Sequence, residues 1–172
     1  MFTKWITTGP TVALLSMYVF LGSPSAAAQG LLATRELSVV MASDAATAAL
    51  ADCTAKGYRV AVAVADRGGH VRVLLRGDGA GPHLLDAARR KAFTAASSGA
   101  STLVWAENLR QGLRAPDPNL VHLEGVLIIG GGIPIKVGDD LVGAIGVAGA
   151  PGGDRDDACA QVGIAAITER LR

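Results

Sequence analysis

The strongest constraint on the fold is the stretch VAVAVA at residues 60–65, in which valine alternates with alanine. Both faces of such a strand are apolar, so we expect it to be buried on both sides in the centre of a sheet. The residues DRGG at 66–69 have turn chemistry, and VRVLLR at 71–76 reads as a second strand. The sequence therefore predicts a β-hairpin whose first strand is central.

Hydrophobic spacing, glycines and prolines predict the other elements. Helices are expected over residues 34–56, 82–99, 101–111 and 156–171, and further strands over 126–129, 133–137 and 141–147. Thr34 is the expected N-cap of the first helix, and Gly57 suits the position after its end. Because hairpins join most neighbouring strands, we expect an α+β fold with a mainly antiparallel sheet and helices packed on it.

Composition limits the class of partner. Half of the residues are hydrophobic but only 4% are aromatic, so the core must be built from alanine, valine, leucine and isoleucine. The formal net charge is +1, and no basic run is longer than three residues. A protein needs clustered positive charge to bind the phosphates of a nucleic acid, so we expect no nucleic-acid partner.

The N-terminal stretch has the pattern of a secretory signal. Lys4 precedes the apolar run Val12–Leu21, helix-breaking residues follow, and the small residues up to Ala28 form a cleavage site. We expect residues 1–28 to be a signal peptide and residues 29–172 to be a single domain, which is periplasmic or secreted and free of the membrane after cleavage. The alternative, an uncleaved membrane anchor, is disfavoured because the run is short for a bilayer.

The chain has two cysteines, Cys53 and Cys159. In an exported protein they are candidates for a disulfide; the alternative is two buried thiols that act as small hydrophobic groups. Neither lies in a C-x-x-C pair or a zinc-ligand pattern, so redox catalysis and a zinc site are not expected.

The stretch GAIGVAGAPGGDRDDACA at residues 143–160 resembles a phosphate loop at first sight. No lysine follows the glycines, however, and Asp154, Asp156 and Asp157 place negative charge where a phosphate would bind. We interpret the carboxylates as groups that stabilise a helix N-terminus, and Gly143 and Gly146 as positions of close packing or of ligand approach along a strand. A cation site for Ca²⁺ or iron at the three aspartates is the alternative.

Several motifs together resemble the GlcG/HbpS-like haem-binding family, which also includes the C-terminal domain of PduO-type proteins. The motifs are VAVAVADRGGHVRVLLRGDGAGPHLLDAARRKAFTAA, GGGIPI and GAIGVAGAPGGDRDDACAQVGI, and the likeness covers about residues 34–170. The resemblance implies a profilin-like fold with a five-stranded antiparallel sheet, a homo-oligomer, and binding of haem or another tetrapyrrole. A hydroxyl ligand to haem is suggested in the family, with Thr94 and Thr102 as candidates.

The candidate site residues combine this resemblance with charge placement. The predicted cofactor-binding residues are Arg76, Asp78, His83, Lys91, Thr94, Gly131, Gly132 and Pro134. The cationic groups among them suit haem propionates, and an imidazole can serve as an axial ligand or an acid–base group. Two other functions stay open: an enzyme acting on a small oxygenated metabolite, and an oligomeric assembly module. The candidate catalytic residues of the enzyme are Lys91, His83, His122 and Glu124.

Overall fold

The computed structural model describes residues 30, 32–113 and 116–172. In chain order its elements are α1 (Val39–Ala55), β1 (Ala61–Asp66), β2 (Val71–Arg76), α2 (His83–Ser98), α3 (Thr102–Arg110), β3 (Gly132–Val137), β4 (Asp140–Ala148) and α4 (Gly153–Ala165). Short 3-10 helices cover Pro118–His122 and Thr168–Arg170. Within this described part, no helix is long and apolar enough to cross a bilayer. The predicted signal peptide, residues 1–28, lies outside the described residues.

The four strands form one sheet in the order β2-β1-β4-β3, and every neighbouring pair is antiparallel. The central position predicted for β1 is confirmed, since Ala61–Ala65 are completely buried. Ala61 lies opposite Arg76 on one side and opposite Ala148 on the other. The α+β class and the antiparallel sheet are therefore as the sequence predicts.

The strand predicted over residues 126–129 does not form, so the described residues hold four strands where five were expected. Two backbone groups of this segment bind side chains of α2 instead of a strand. The Leu127 N–H donates to Thr94 Oγ1 at 2.8 Å, and Arg90 donates to the Val126 carbonyl at 2.6 Å. These two groups are therefore not available for pairing with a strand.

The alternation of valine and alanine in β1 divides the core into two parts. Val60, Val62 and Val64 pack in a large cluster with α1 and α4, whereas Ala61, Ala63 and Ala65 pack against α2. The small side chains allow α2 to lie close to the sheet. At Gly146 of β4 the approach is so close that a Cβ would clash with the Ala88 carbonyl, which confirms the prediction of close packing there.

The predicted ends of α1 and α4 differ from the structure. α1 begins at Val39 rather than at residue 34, because Ser38 is the N-cap and its hydroxyl accepts from the Met41 N–H. The residue before it, Leu37, donates its N–H to the Val142 carbonyl of β4. α4 ends at Ala165, and a 3-10 turn covers part of the remaining predicted length.

Cys53 of α1 and Cys159 of α4 are joined by a disulfide, with 5.7 Å between their Cα atoms. Both residues are completely buried. The bond therefore cross-links the two helices that cover the valine face of the sheet.

Candidate functional site

Most of the predicted site residues come to one end of the sheet, where β2 and β4 end and β1 and β3 begin. The strand register fixes this arrangement, because Ala148 lies opposite Ala61 and Gly132 lies opposite Gly146. We call this the site end of the sheet. The α2 N-terminus is also here, since the Leu84 side chain lies 2.8 Å from the position of a Cβ on Gly149.

Lys91 is buried at the site end, with a side chain that is 3% exposed. Its ammonium donates to Asp156 Oδ2 at 2.7 Å and to the Val147 carbonyl at 2.9 Å. Asp156 Oδ1 accepts from the Ala150 N–H at 2.8 Å. This buried ion pair joins α2 to α4 across the end of β4 and fixes the turn that follows it.

Burial dominates the titration of this pair. Removal from water lowers the pKa of Lys91, although the nearby Asp156 and Asp157 charges act in the opposite direction. Removal from water likewise raises the pKa of Asp156, against the effect of Lys91 and of two backbone N–H groups. Desolvation disfavours the charged form of both groups, so the pair depends on its internal hydrogen bonds.

Asp157 is a second buried carboxylate beside this pair. Its Oδ2 accepts from Gln161 Nε2 at 2.9 Å, whereas Oδ1 has no hydrogen-bond partner among the described residues. Burial raises the pKa of Asp157, and the hydrogen bond from Gln161, with the nearby Gly131 N–H and Ser101 hydroxyl, acts in the opposite direction. A partly unsatisfied carboxylate therefore lies beneath the loop that contains Gly131.

Glycine is required in that loop. Gly131 has a φ of +110°, and a Cβ there would lie 2.5 Å from the Val147 carbonyl oxygen and 2.6 Å from Asp156 Cβ. At Gly132 a Cβ would lie 2.5 Å from the Lys91 carbonyl oxygen. The loop thus packs directly on the ion pair, and both glycines contribute through packing.

The two candidate threonines are bound within the protein. Thr94 Oγ1 donates to the Arg90 carbonyl and accepts from the Leu127 N–H. Thr102 Oγ1 donates to the Ile129 carbonyl at 2.7 Å and accepts from the Gly132 N–H at 2.8 Å. Both residues are completely buried, so these hydroxyls hold the 127–132 segment in place.

The other polar candidates lie at the surface. Arg76, Asp78 and His83 are exposed at the site end, whereas Pro134 is half-buried within β3. His122 and Glu124 are exposed on and just after a 3-10 helix. Lys91 is therefore buried, whereas Arg76 and His83, with which it was grouped in the sequence prediction, are exposed.

The three aspartates at the start of α4 do not point to one common centre. Asp156 is paired with Lys91, Asp157 is buried beside Gln161, and Asp154 is exposed. Across residues 30, 32–113 and 116–172, no three His, Cys, Asp or Glu side chains form a group suited to a metal ion.

A cleft of about 630 Å³ opens at the site end between α3 and the start of α4. Its lining residues are Leu103, Ala106, Glu107, Leu109, Arg110, Ile128, Ile129, Gly130, Gly152, Gly153 and Asp154. We call it the α3–α4 cleft. One wall is apolar, and the charged lining residues are Arg110, Glu107 and Asp154.

The sequence interpretation did not identify this cleft. A local signal existed, since residues 103, 106, 107 and 110 follow a helical spacing on a short helix. That spacing predicts a face of α3, but only the fold shows that the face is open rather than covered.

Comparisons with known proteins show the family of the chain. The profile of a family described as haem degrading protein HbpS-like matches residues 37–165. GlcG of Escherichia coli is 34% identical over 113 residues, which cover 64% of this chain and 80% of GlcG.

Solved structures give the same result. A double mutant of Streptomyces reticuli HbpS is 44% identical, with a TM-score of 0.73, and the match covers 83% of this chain and 95% of the other. PduOC, solved as a complex with haem, is 25% identical, with a TM-score of 0.69 and coverages of 77% and 95%.

Proposed function

Because the chain belongs to the HbpS-like family, we propose that it binds haem or a related tetrapyrrole without a covalent bond, in the α3–α4 cleft. The observation that carries this proposal is the match, over 77% of this chain, to a protein solved as a complex with haem. Both cysteines of the chain form the disulfide, which leaves no thiol for covalent attachment.

The cleft has the chemistry that a porphyrin requires. Its volume of about 630 Å³ lies within the usual range of small-molecule and cofactor sites. Leu103, Ile128 and Ile129 supply apolar surface for a flat ring. The Arg110 side chain is 70% exposed, and its ion pair with Glu107 is loose, with 4.0 Å between the charged atoms. Its guanidinium can therefore also bind a propionate.

The candidate axial ligands are the histidines rather than the two threonines. Both candidate threonine hydroxyls are buried and already make two hydrogen bonds each. His83 and His122 are exposed, and imidazole is a common iron ligand. Neither histidine is among the residues that line the cleft, and we propose His83 as the first candidate axial ligand to test.

A spectroscopic titration tests the proposal. Titration of the purified mature chain with haem should give a saturable Soret band. Ile129→Asp places a charge on the apolar wall and should weaken binding by about tenfold or more. Val40→Asp is the matched control, because Val40 is 62% exposed on α1, away from the cleft. No Soret band, or equal loss in both variants, would reject this site.

The axial ligand is tested separately with His83→Ala and His122→Ala. The variant that removes the ligand should shift the Soret maximum, and the other should leave the spectrum unchanged. Unchanged spectra in both variants would show that the axial ligand is not one of these histidines.

We also propose that the protein is exported and forms a homo-oligomer. The signal-like pattern of residues 1–28 and the disulfide both suit an oxidising compartment. The edge strand β2 exposes Val71 and Leu74 by 39% and 40%, which gives an apolar surface for another subunit. N-terminal sequencing from the native host should find cleavage after Ala28, and light scattering of the mature form should find a mass above that of one chain.

A further inference from the structure

A second depression, of about 400 Å³, lies at the site end on the other edge of the sheet, between the end of α1 and the end of β2. We call it the α1–β2 depression. Two arginines line it, Arg59 and Arg76, together with Tyr58, Leu50 and Asp78. We propose that this depression is a separate binding site for a small oxyanion, such as an organic carboxylate or a phosphate.

The first argument is that both arginines lack an internal partner. Neither Arg59 nor Arg76 forms an ion pair with a carboxylate in the part of the chain that the structure describes, and neither donates a side-chain hydrogen bond there. A guanidinium offers five N–H donors in a planar fork that matches carboxylate and phosphate. Two such forks in one depression make a receptor for an oxyanion.

A third depression on this protein shows the contrast. It is lined by Arg35, Arg170 and Arg172, and each of these arginines faces a carboxylate. The partners are Asp140 at 3.7 Å, Asp44 at 2.7 Å and Glu169 at 3.0 Å, respectively. The arginines there are neutralised within the protein, whereas those of the α1–β2 depression are not.

Packing and charge around the depression support the assignment. The aliphatic part of the Arg59 side chain packs against the backbone at Gly79, where an added Cβ would lie 3.2 Å from Arg59 Cδ. Arg155 lies over the Tyr58 ring, 6.0 Å from its centroid, and adds a third positive charge nearby. Asp78 is the one carboxylate among the lining residues, so the local charge is positive.

The size and the lining define the ligand class. The volume admits a molecule of a few carbon atoms, smaller than a tetrapyrrole. Leu50 and the Tyr58 ring give an apolar side, and the two guanidinium groups give the polar side. This combination favours a small organic acid or phosphate ester over a large ring. The depression shares no lining residue with the α3–α4 cleft, so the proposal is independent of haem binding.

The test is a titration of the full mature chain with succinate and, separately, with inorganic phosphate, followed by ¹H–¹⁵N NMR. The amide signals of Gly57, Gly77 and Gly79 should shift saturably with the bound probe. Arg59→Gln and Arg76→Gln should each weaken binding by about tenfold. The control is Arg67→Gln, which removes the same charge from the turn between β1 and β2, at the opposite end of the hairpin.

A fourth variant has the opposite expected sign. Asp78→Asn removes a negative charge that repels the anion, so it should tighten binding by about threefold. If succinate binds and phosphate does not, the site is specific for carboxylates; the reverse result assigns it to phosphate. Absence of saturable shifts with both probes, or equal weakening by Arg67→Gln and Arg59→Gln, would overturn the proposal.

Discussion

Lys91 of α2 and Asp156 of α4 form a buried ion pair, 2.7 Å between Nζ and Oδ2, although 65 residues separate them in the chain. The pair lies directly beneath the Gly131 loop and beside the turn at Ala150. Its position indicates that Lys91 holds the site end of the sheet together.

Replacement of Lys91 by methionine should be strongly destabilising, because Asp156 would then be buried without its partner. We expect a loss of about 3–5 kcal/mol in the free energy of unfolding, measured by urea denaturation. The control is Lys56→Met, since Lys56 forms an equally short ion pair with Asp52, 2.6 Å, but at the surface. Its loss should stay below about 1 kcal/mol.

The double variant Lys91→Met with Asp156→Asn separates the ion pair from the packing around it. Because no charge remains buried, it should be more stable than Lys91→Met alone. Equal losses for Lys91→Met and Lys56→Met would contradict a structural role for the buried pair.

Substitution of Gly131 by alanine should destabilise the protein through both strain and a clash. The φ of +110° disfavours an L side chain, and the Cβ would meet the Val147 carbonyl and Asp156. Gly138→Ala is the matched control, since it has a φ of +60° and open space around the Cβ position. Thermal melts should give about 1 kcal/mol for Gly138→Ala and at least about 3 kcal/mol for Gly131→Ala; similar losses would mean that the contacts with the loop contribute nothing.

Removal of the disulfide should destabilise the protein, because the unfolded chain gains conformational entropy when the cross-link is lost. Cys53 and Cys159 are 106 residues apart, a long loop, and the chain-entropy estimate for such a loop is about 4–5 kcal/mol. The variant with both cysteines changed to alanine should therefore unfold at a lower denaturant concentration than the wild type. The loss should disappear when both proteins are compared under strong reduction, and a loss that persists there would come from packing instead.

Asp157 should make stability depend on pH. Burial raises its pKa above the ordinary value of 3.8, so the folded state holds the proton more tightly than the unfolded state does. This contribution to stability is complete below pH 3.8 and is lost as the pH rises through the folded pKa. Asp157→Asn should consequently be more stable than the wild type at pH 7, by about 1 kcal/mol.

The gap between Asp157→Asn and the wild type should narrow as the pH falls towards 4, in denaturation curves recorded at several pH values. Asp154→Asn is the control, because Asp154 is exposed in the same first turn of α4 and should show no gain at pH 7. A gap that is independent of pH would show that the Asp157 carboxylate is not the cause.

Elements defined by local patterns could be predicted from the sequence. The alternation of valine and alanine over residues 60–65 predicts that both faces of β1 are apolar. Pro82 and Gly99 mark the ends of α2. The missing strand at 126–129 depends on distant side chains, since Thr94 binds Leu127 from 33 residues away. No local pattern contains that contact.

The site shows the same division. Lys91 was predicted from charge placement as a ligand-binding cation, whereas Asp156 was predicted from a different pattern as a helix-terminal carboxylate. Nothing in the spacing indicates that they meet, because their contact depends on how α2 and α4 pack at the end of β4. The two openings at the site end are likewise products of packing, and the unpaired arginines become evident only when all neighbouring carboxylates are placed.

The disulfide has a consequence for the integrity of the chain. Cys53 and Cys159 enclose the exposed segment around residues 117–124, where proteases find accessible backbone. A single cut anywhere between the two cysteines leaves two polypeptides that stay covalently joined, each still carrying one of the helices that the bond connects. Such a nicked molecule would migrate as one band without reductant and as two bands with it.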